Sequence, residues 1–177
     1  RFLLRVAMLN ITKGAEITAY SMLVHTAGKT DDHIKDHSEI TKIIQVLSDR
    51  NHRKCEQYVT EMQRIAVNLV KMHNADVTVK ELILFVLRNI LKSEVLTINH
   101  KNDAGNVKRA GDPRSLFTFA VGGNIVSRGL TFERLLTFYF SRTVRGRLQQ
   151  NTYIQRARMF GHRPYSEYFE LCVPETL

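Results

Sequence analysis

Cysteine is scarce in this chain: Cys55 and Cys172 are the two present in 177 residues, far apart and in unrelated contexts. A disulfide framework needs more cysteines or a secretory setting, so both read as reduced thiols of a cytoplasmic protein. Long apolar runs are missing as well. None approaches the roughly 20 residues that span a bilayer. The opening Arg1-Phe2-Leu3-Leu4-Arg5 is too short and too soon interrupted by charge to be a secretory signal. Membrane-spanning and disulfide-stapled secreted classes are thereby excluded as expectations. What is left, with 44% hydrophobic and 24% charged residues, is the composition of an ordinary globular domain. The chain starts without Met and stops at Pro174-Glu175-Thr176-Leu177, directly after a strand-like run. The expectation is one domain over 1–177, cut from a longer polypeptide.

A second absence is local. From Arg134 to Ser166 there is no Asp, Glu or Lys, yet there are seven arginines: Arg134, Arg142, Arg145, Arg147, Arg156, Arg158 and Arg163. The planar guanidinium fork matches phosphate oxygens in a way that an ammonium does not. With a net charge of +9, this points to a polyanionic partner held through counterion release and long-range steering. A plain solvated basic face stays open as the alternative.

Hydrophobic periodicity predicts the elements. Residues 1 to about 16 read as a helix, and Ser21–Thr26 as a buried strand. Ile40, Ile43, Ile44 and Leu47 mark an amphipathic helix, and Tyr58, Met62, Ile65, Leu69 and Met72 a second. Thr78-Val79-Lys80-Glu81 is a capping box that opens a third. Further strands are expected at Val95–Asn99, Leu116–Val121, Leu135–Phe140 and Tyr168–Val173, with a loop over Lys101–Ser115 and a helix over about 149 to 160. The alternation predicts an α/β fold: a mostly parallel sheet flanked by helices, with a helical insertion at 51–92.

Several chemical-looking motifs fail on spacing. Gly28-Lys29-Thr30 suggests a phosphate loop, but the Gly required five positions earlier is Leu23, inside a strand. Asp31 and Asp32 fit the favourable amino end of a helix dipole better than a magnesium box. His33 and His37 would share a helix face, but without a neighbouring Glu or a third ligand they read as solvated. No nucleophilic triad and no nuclease-type cluster of acids with lysine is evident. No metal ligand is assigned.

The segment that survives runs from Phe117 to Arg163. A buried strand leads into Gly122-Gly123-Asn124, where two glycines let backbone N–H groups approach a ligand closely. The carboxyl end of a strand is where ligands sit in open α/β sheets. Later come Gln155, Arg156, Ala157 and Arg158, then Gly161-His162-Arg163, an arrangement with the logic of arginine fingers.

This combination resembles motifs five and six of superfamily-two helicases. It is more similar still to the Z1 domain of endonucleases and restriction-associated helicase-like proteins. The family pattern is a strand, then Val-Gly-Gly-Asn, two residues, and Ser-Arg-Gly-Leu-Thr, followed later by Gln, two residues, Arg, an aromatic and Phe-Gly-Tyr-Arg. Here stand Val121 to Asn124, Ser127-Arg128-Gly129-Leu130-Thr131, then Gln155, Arg158, Phe160-Gly161 and Arg163. Ser21 to His25 is similar to the family's first strand. Ala157 replaces a usual Gly, Met159 an aromatic, His162 a Tyr and Asn151 an Asp.

The resemblance implies a RecA-like second half of an ATP-dependent DNA motor tied to a restriction-type endonuclease, inactive as an isolated piece. On that basis Arg158 and Arg163 would neutralise charge at the γ-phosphate, with Gln155 positioning them. Gly122, Gly123, Asn124, Ser127, Arg128, Gly129 and Thr131 would contact nucleotide or nucleic-acid phosphates. Arg142, Arg145 and Arg147 would grip the DNA backbone without reading bases. ATP and Mg2+ would belong to the full-length protein. The expected partners are DNA, a first RecA-like domain in the same chain and a nuclease subunit or domain. A non-hydrolytic DNA- or partner-binding module is the alternative function.

Overall fold

A computed structural model describes residues 1–13, 16–26, 30–98, 104–123, 132–140 and 165–173. The element order is α1 (Phe2–Lys13), β1 (Tyr20–His25), α2 (Thr30–Ser48), α3 (Cys55–His73), α4 (Val79–Asn89), β2 (Ser93–Ile98), α5 (Ala104–Gly111), β3 (Phe117–Gly122), β4 (Leu135–Phe140) and β5 (Glu170–Cys172). Single 3-10 turns at Ile90–Lys92 and Ser166–Tyr168 lead into β2 and towards β5.

The strands form one parallel sheet in the order β2-β3-β1-β4-β5. Parallel strands buried on both faces need continuous apolar runs. Phe117 to Gly122 is buried at every position, as are five of the six residues from Leu135 to Phe140. Register is regular between β1 and β3, from Tyr20↔Phe117 to His25↔Gly122. Against β4 it slips: Ser21 faces Leu135 but Met22 faces Thr137. The extra residue of this bulge, Leu136, is fully buried with Phe2, Val6 and Leu9 of α1. A bulge thus turns one more leucine towards the α1 side of the sheet.

On that side α1, Ile40 and Ile44 of α2, and Phe85 of α4 cover Tyr20, Met22, Phe117 and Phe119. Helix α3 lies further out, joining α1 and α4 through Met62, Ala66 and Leu69 against Leu4, Met8, Leu82 and Val86. Residues 51–92 therefore hold two helices whose apolar stripes extend the core rather than standing apart from it. Helix α4 starts with the expected capping box. Thr78 Oγ1 accepts from the Glu81 N–H at 3.2 Å, and the Glu81 carboxylate accepts from the Thr78 N–H at 2.8 Å. Such a cap contributes about 1 kcal/mol.

On the opposite side, Val107 and Ala110 of α5 pack on Leu23, Leu96, Ile98 and Ala120. This helix corrects the sequence reading, which placed a loop across Lys101–Ser115. The composition is poor for a helix, but tertiary contacts override weak propensity. Asn106 Nδ2 donates to the Thr97 carbonyl at 3.0 Å, and the Arg109 guanidinium pairs with Glu94.

A buried polar clamp fixes the far edge of the sheet. Arg1 and Arg5 both reach the Glu170 carboxylate, at 2.9 and 3.4 Å. Arg5 Nη1 also donates to the Tyr168 carbonyl at 2.8 Å. The short edge strand β5 is thereby tied to the first helix across almost the whole length of the chain. No described helix is long and apolar enough to cross a membrane.

Candidate functional site at the carboxyl edge of the sheet

The strand order creates a switch point. From β1 the chain departs towards the β2 flank, whereas from β4 it departs towards β5. Adjacent strands whose exits diverge leave a crevice at their carboxyl ends, the usual ligand position in such sheets. Here the pair is β1 and β4, with His25 facing Phe140 in register. On the other flank His25 faces Gly122, and the Thr26 N–H donates to the Gly122 carbonyl at 3.1 Å. Gly122 and Gly123, both named from the sequence, are buried at this edge beside the crevice.

A buried histidine at this end of β1 was not foreseen. His25 is 1% exposed, its ring 5.3 Å from that of Phe140 and 6.2 Å from that of Phe138. The period-two rhythm of β1 puts His25 on the same face as Leu23, which was the available signal.

His33 corrects a further expectation. The sequence reading placed it on a solvated face, but it is 5% exposed. Residues 33, 37, 40, 44 and 47 step along α2 in alternating fours and threes, so His33 heads the same stripe that buries Leu47. Its neighbours Asp31 and Asp32 occupy the first turn of α2, as expected. Their carboxylates meet the positive end of the helix dipole themselves. The start of α2 is therefore poorly suited to bind a phosphate, in keeping with the rejected phosphate loop. Gly28 and Lys29 lie outside the described residues. Among the described residues no group of three His, Cys, Asp or Glu could hold a metal ion.

The remaining sequence-named residues, Asn124, Ser127, Arg128, Gly129, Thr131, Arg142, Arg145, Arg147, Gln155, Arg158 and Arg163, lie outside the described residues, as does the helix expected over about 149 to 160. The described flanks of the arginine-rich stretch are informative all the same. Phe140 stands at the carboxyl edge, opposite His25. Tyr165 stands at the amino edge, its ring 5.3 Å from Tyr20 and its hydroxyl donating to the Glu133 carbonyl at 2.7 Å. In sequence, Arg142, Arg145 and Arg147 follow the carboxyl-edge flank, whereas Arg163 closely precedes the amino-edge one.

With this geometry in view, comparison with protein families is decisive at one level. The family profile of the Z1 domain matches residues 1–177. The chain belongs to the Z1 domain family. Searches of the curated proteins and of the solved structures return no match. The glycine pair of this Z1 domain thus lies at the crevice edge of a five-stranded parallel α/β sheet, a RecA-like type of architecture.

Away from that edge, packing in the Z1 domain perturbs titratable groups. His73 stacks on Tyr168 with ring centroids 4.5 Å apart. Burial, aided by the nearby Arg5 cation, lowers its pKa below the usual imidazole value. Burial, helped by Glu170, pushes the Cys172 thiol upward. Cys55 and Cys172 are both free thiols, as the sequence reading held.

Proposed function

We propose that this Z1 domain is the second, nucleic-acid-gripping half of an ATP-dependent helicase-like motor that serves a restriction-type endonuclease. One observation carries the reading: the glycine pair of the family-like Val-Gly-Gly-Asn run ends a buried strand beside the switch-point crevice. Membership of the Z1 family over the whole chain supports it.

In this reading the Gly122-Gly123-Asn124 turn brings main-chain donors to a phosphate, since no Cβ blocks the approach at the glycines. Ser127, Arg128, Gly129 and Thr131 couple the nucleic-acid backbone to the nucleotide cleft. Arg142, Arg145 and Arg147 follow the carboxyl-edge flank and grip the strand through phosphates alone. Of the two arginines, Arg158, oriented by Gln155, is assigned to neutralise charge on the transferred phosphoryl group, because Arg163 stands two residues before the amino-edge Tyr165 in sequence. The phosphate loop and the magnesium-binding acids are assigned to the first RecA-like domain of the full-length protein. ATP bound with Mg2+ between the two halves would supply the phosphoryl group and the energy for cleft closure.

The test is DNA-stimulated ATP turnover of the full-length protein carrying Arg158→Ala or Arg163→Ala. Loss of an arginine finger costs about 10³ to 10⁵ in rate. A fall of that size in one variant, with salt-sensitive DNA binding retained, is expected. Normal turnover in both would reject the motor in favour of a non-hydrolytic DNA- or partner-binding module.

A further inference from the structure

At the amino edge, opposite the proposed nucleotide crevice, β1, β3 and β2 enter the sheet side by side. Their entry segments enclose a groove of about 360 Å³ lined by Ile17, Ala19, Lys92, Arg114, Ser115 and Leu116. Its floor is apolar, with Ala19 and Leu116 both buried, and the Tyr20 N–H bonded to the Leu116 carbonyl holds the two entry segments together. The rim is unusual for a solvated surface. Ile17 is 64% exposed. An isolated exposed apolar residue is ordinary, but Ile17 lines a groove whose charged lining residues, Lys92 and Arg114, are both cationic. Glu94, which accepts from the Ser115 hydroxyl at 3.4 Å, is already engaged by Arg109.

We propose that this groove docks an acidic, apolar-containing peptide segment of a protein partner. Charge complementarity selects the acidic residues, which would pair with Lys92 and Arg114. The apolar lining of Ile17, Ala19 and Leu116 selects peptide over nucleic acid, because a phosphate backbone gains nothing from burying it. The groove lies at the opposite end of the strands from Gly122 and Gly123, so an occupant here leaves the crevice open. The proposal therefore stands or falls separately from the motor reading.

The experiment is an amide chemical-shift titration of the isotope-labelled domain. The probe is a short synthetic peptide alternating Glu with Leu; a Lys/Leu peptide of the same length and a DNA oligonucleotide serve as comparators. The Glu/Leu peptide is expected to shift Ile17, Ala19, Lys92, Ser115 and Leu116 saturably, leaving Gly122 and Gly123 in place. Lys92→Glu with Arg114→Glu should weaken that binding by about tenfold, since two exposed ion pairs are lost and replaced by repulsion. Equal shifts with the Lys/Leu peptide, stronger shifts with the oligonucleotide, or no saturable shift at these amides would each overturn the proposal. So would concentration-dependent shifts at the same amides without any probe, which would make a second copy of the chain the occupant.

Discussion

Replacing Glu170 with Ala isolates the clamp that ties β5 to α1. The Arg5 side chain is 6% exposed and that of Glu170 9%, so removing the carboxylate leaves a guanidinium out of water with the Tyr168 carbonyl as its hydrogen-bond partner. Stranding one member of a buried pair costs about 3–5 kcal/mol. For a domain of this size that corresponds to a fall in unfolding midpoint of roughly 6–20 °C. Arg1, whose side chain is 62% exposed, can turn back to solvent and contributes little to the loss. The paired variant Arg5→Met with Glu170→Leu removes both charges and leaves the Tyr168 carbonyl short of one donor, at about 1–3 kcal/mol. It should therefore be more stable than Glu170→Ala alone. Urea denaturation of the wild type, the single variants and the double variant provides the full cycle. A loss below about 1 kcal/mol for Glu170→Ala, or a double variant that costs the sum of the singles, would refute the buried-charge argument.

Two other changes follow from the same packing. Gly105 stands in α5 with nothing within 4 Å of where a Cβ would be, so Gly105→Ala should raise stability by about 0.5–1 kcal/mol in urea melts. His73 has its pKa lowered by burial, so the folded state binds its proton less readily than the unfolded chain does. Its stabilising contribution is then complete above the ordinary value of 6.5 and is lost as pH falls below it. His73→Phe keeps a ring against Tyr168, and its unfolding midpoint should drop less than that of the wild type between about pH 7.5 and pH 5.5. Identical slopes would remove His73 as the cause.

Most of the fold was legible because its signals are periodic. Every expected strand corresponds to one in the sheet, since runs such as Leu135–Phe140 leave little choice once both faces are buried. The capping box at Thr78 worked because its two hydrogen bonds are local. Where contacts are distant, the reading failed. Helix α5 depends on Thr97, Glu94 and the face of β3, none of which its own residues announce. His33 looked solvated because the Asp and Lys residues around it hide the stripe it shares with Ile40 and Ile44. Glu170 and Arg5, 165 positions apart, could not be paired by any rule of local spacing. Of the candidate site, the position of Gly122 and Gly123 at the carboxyl end of β3 was legible because the apolar run stops there. The packing of His25 against Phe140 was not, because only the order of the strands brings β1 against β4.

In the proposed motor the arginine segment meets Gly122 and Gly123 at the crevice. A nitroxide attached at Arg158→Cys, in a chain where Cys55 and Cys172 are replaced by Ala, measures this directly through the broadening of amide signals. The edges of a six-residue strand are about 17 Å apart, ample for a steeply distance-dependent effect to separate them. Stronger broadening at Thr26, Gly122 and Gly123 than at Tyr20, Leu116 and Phe117 is expected. The reverse order would place Arg158 at the amino edge and contradict it.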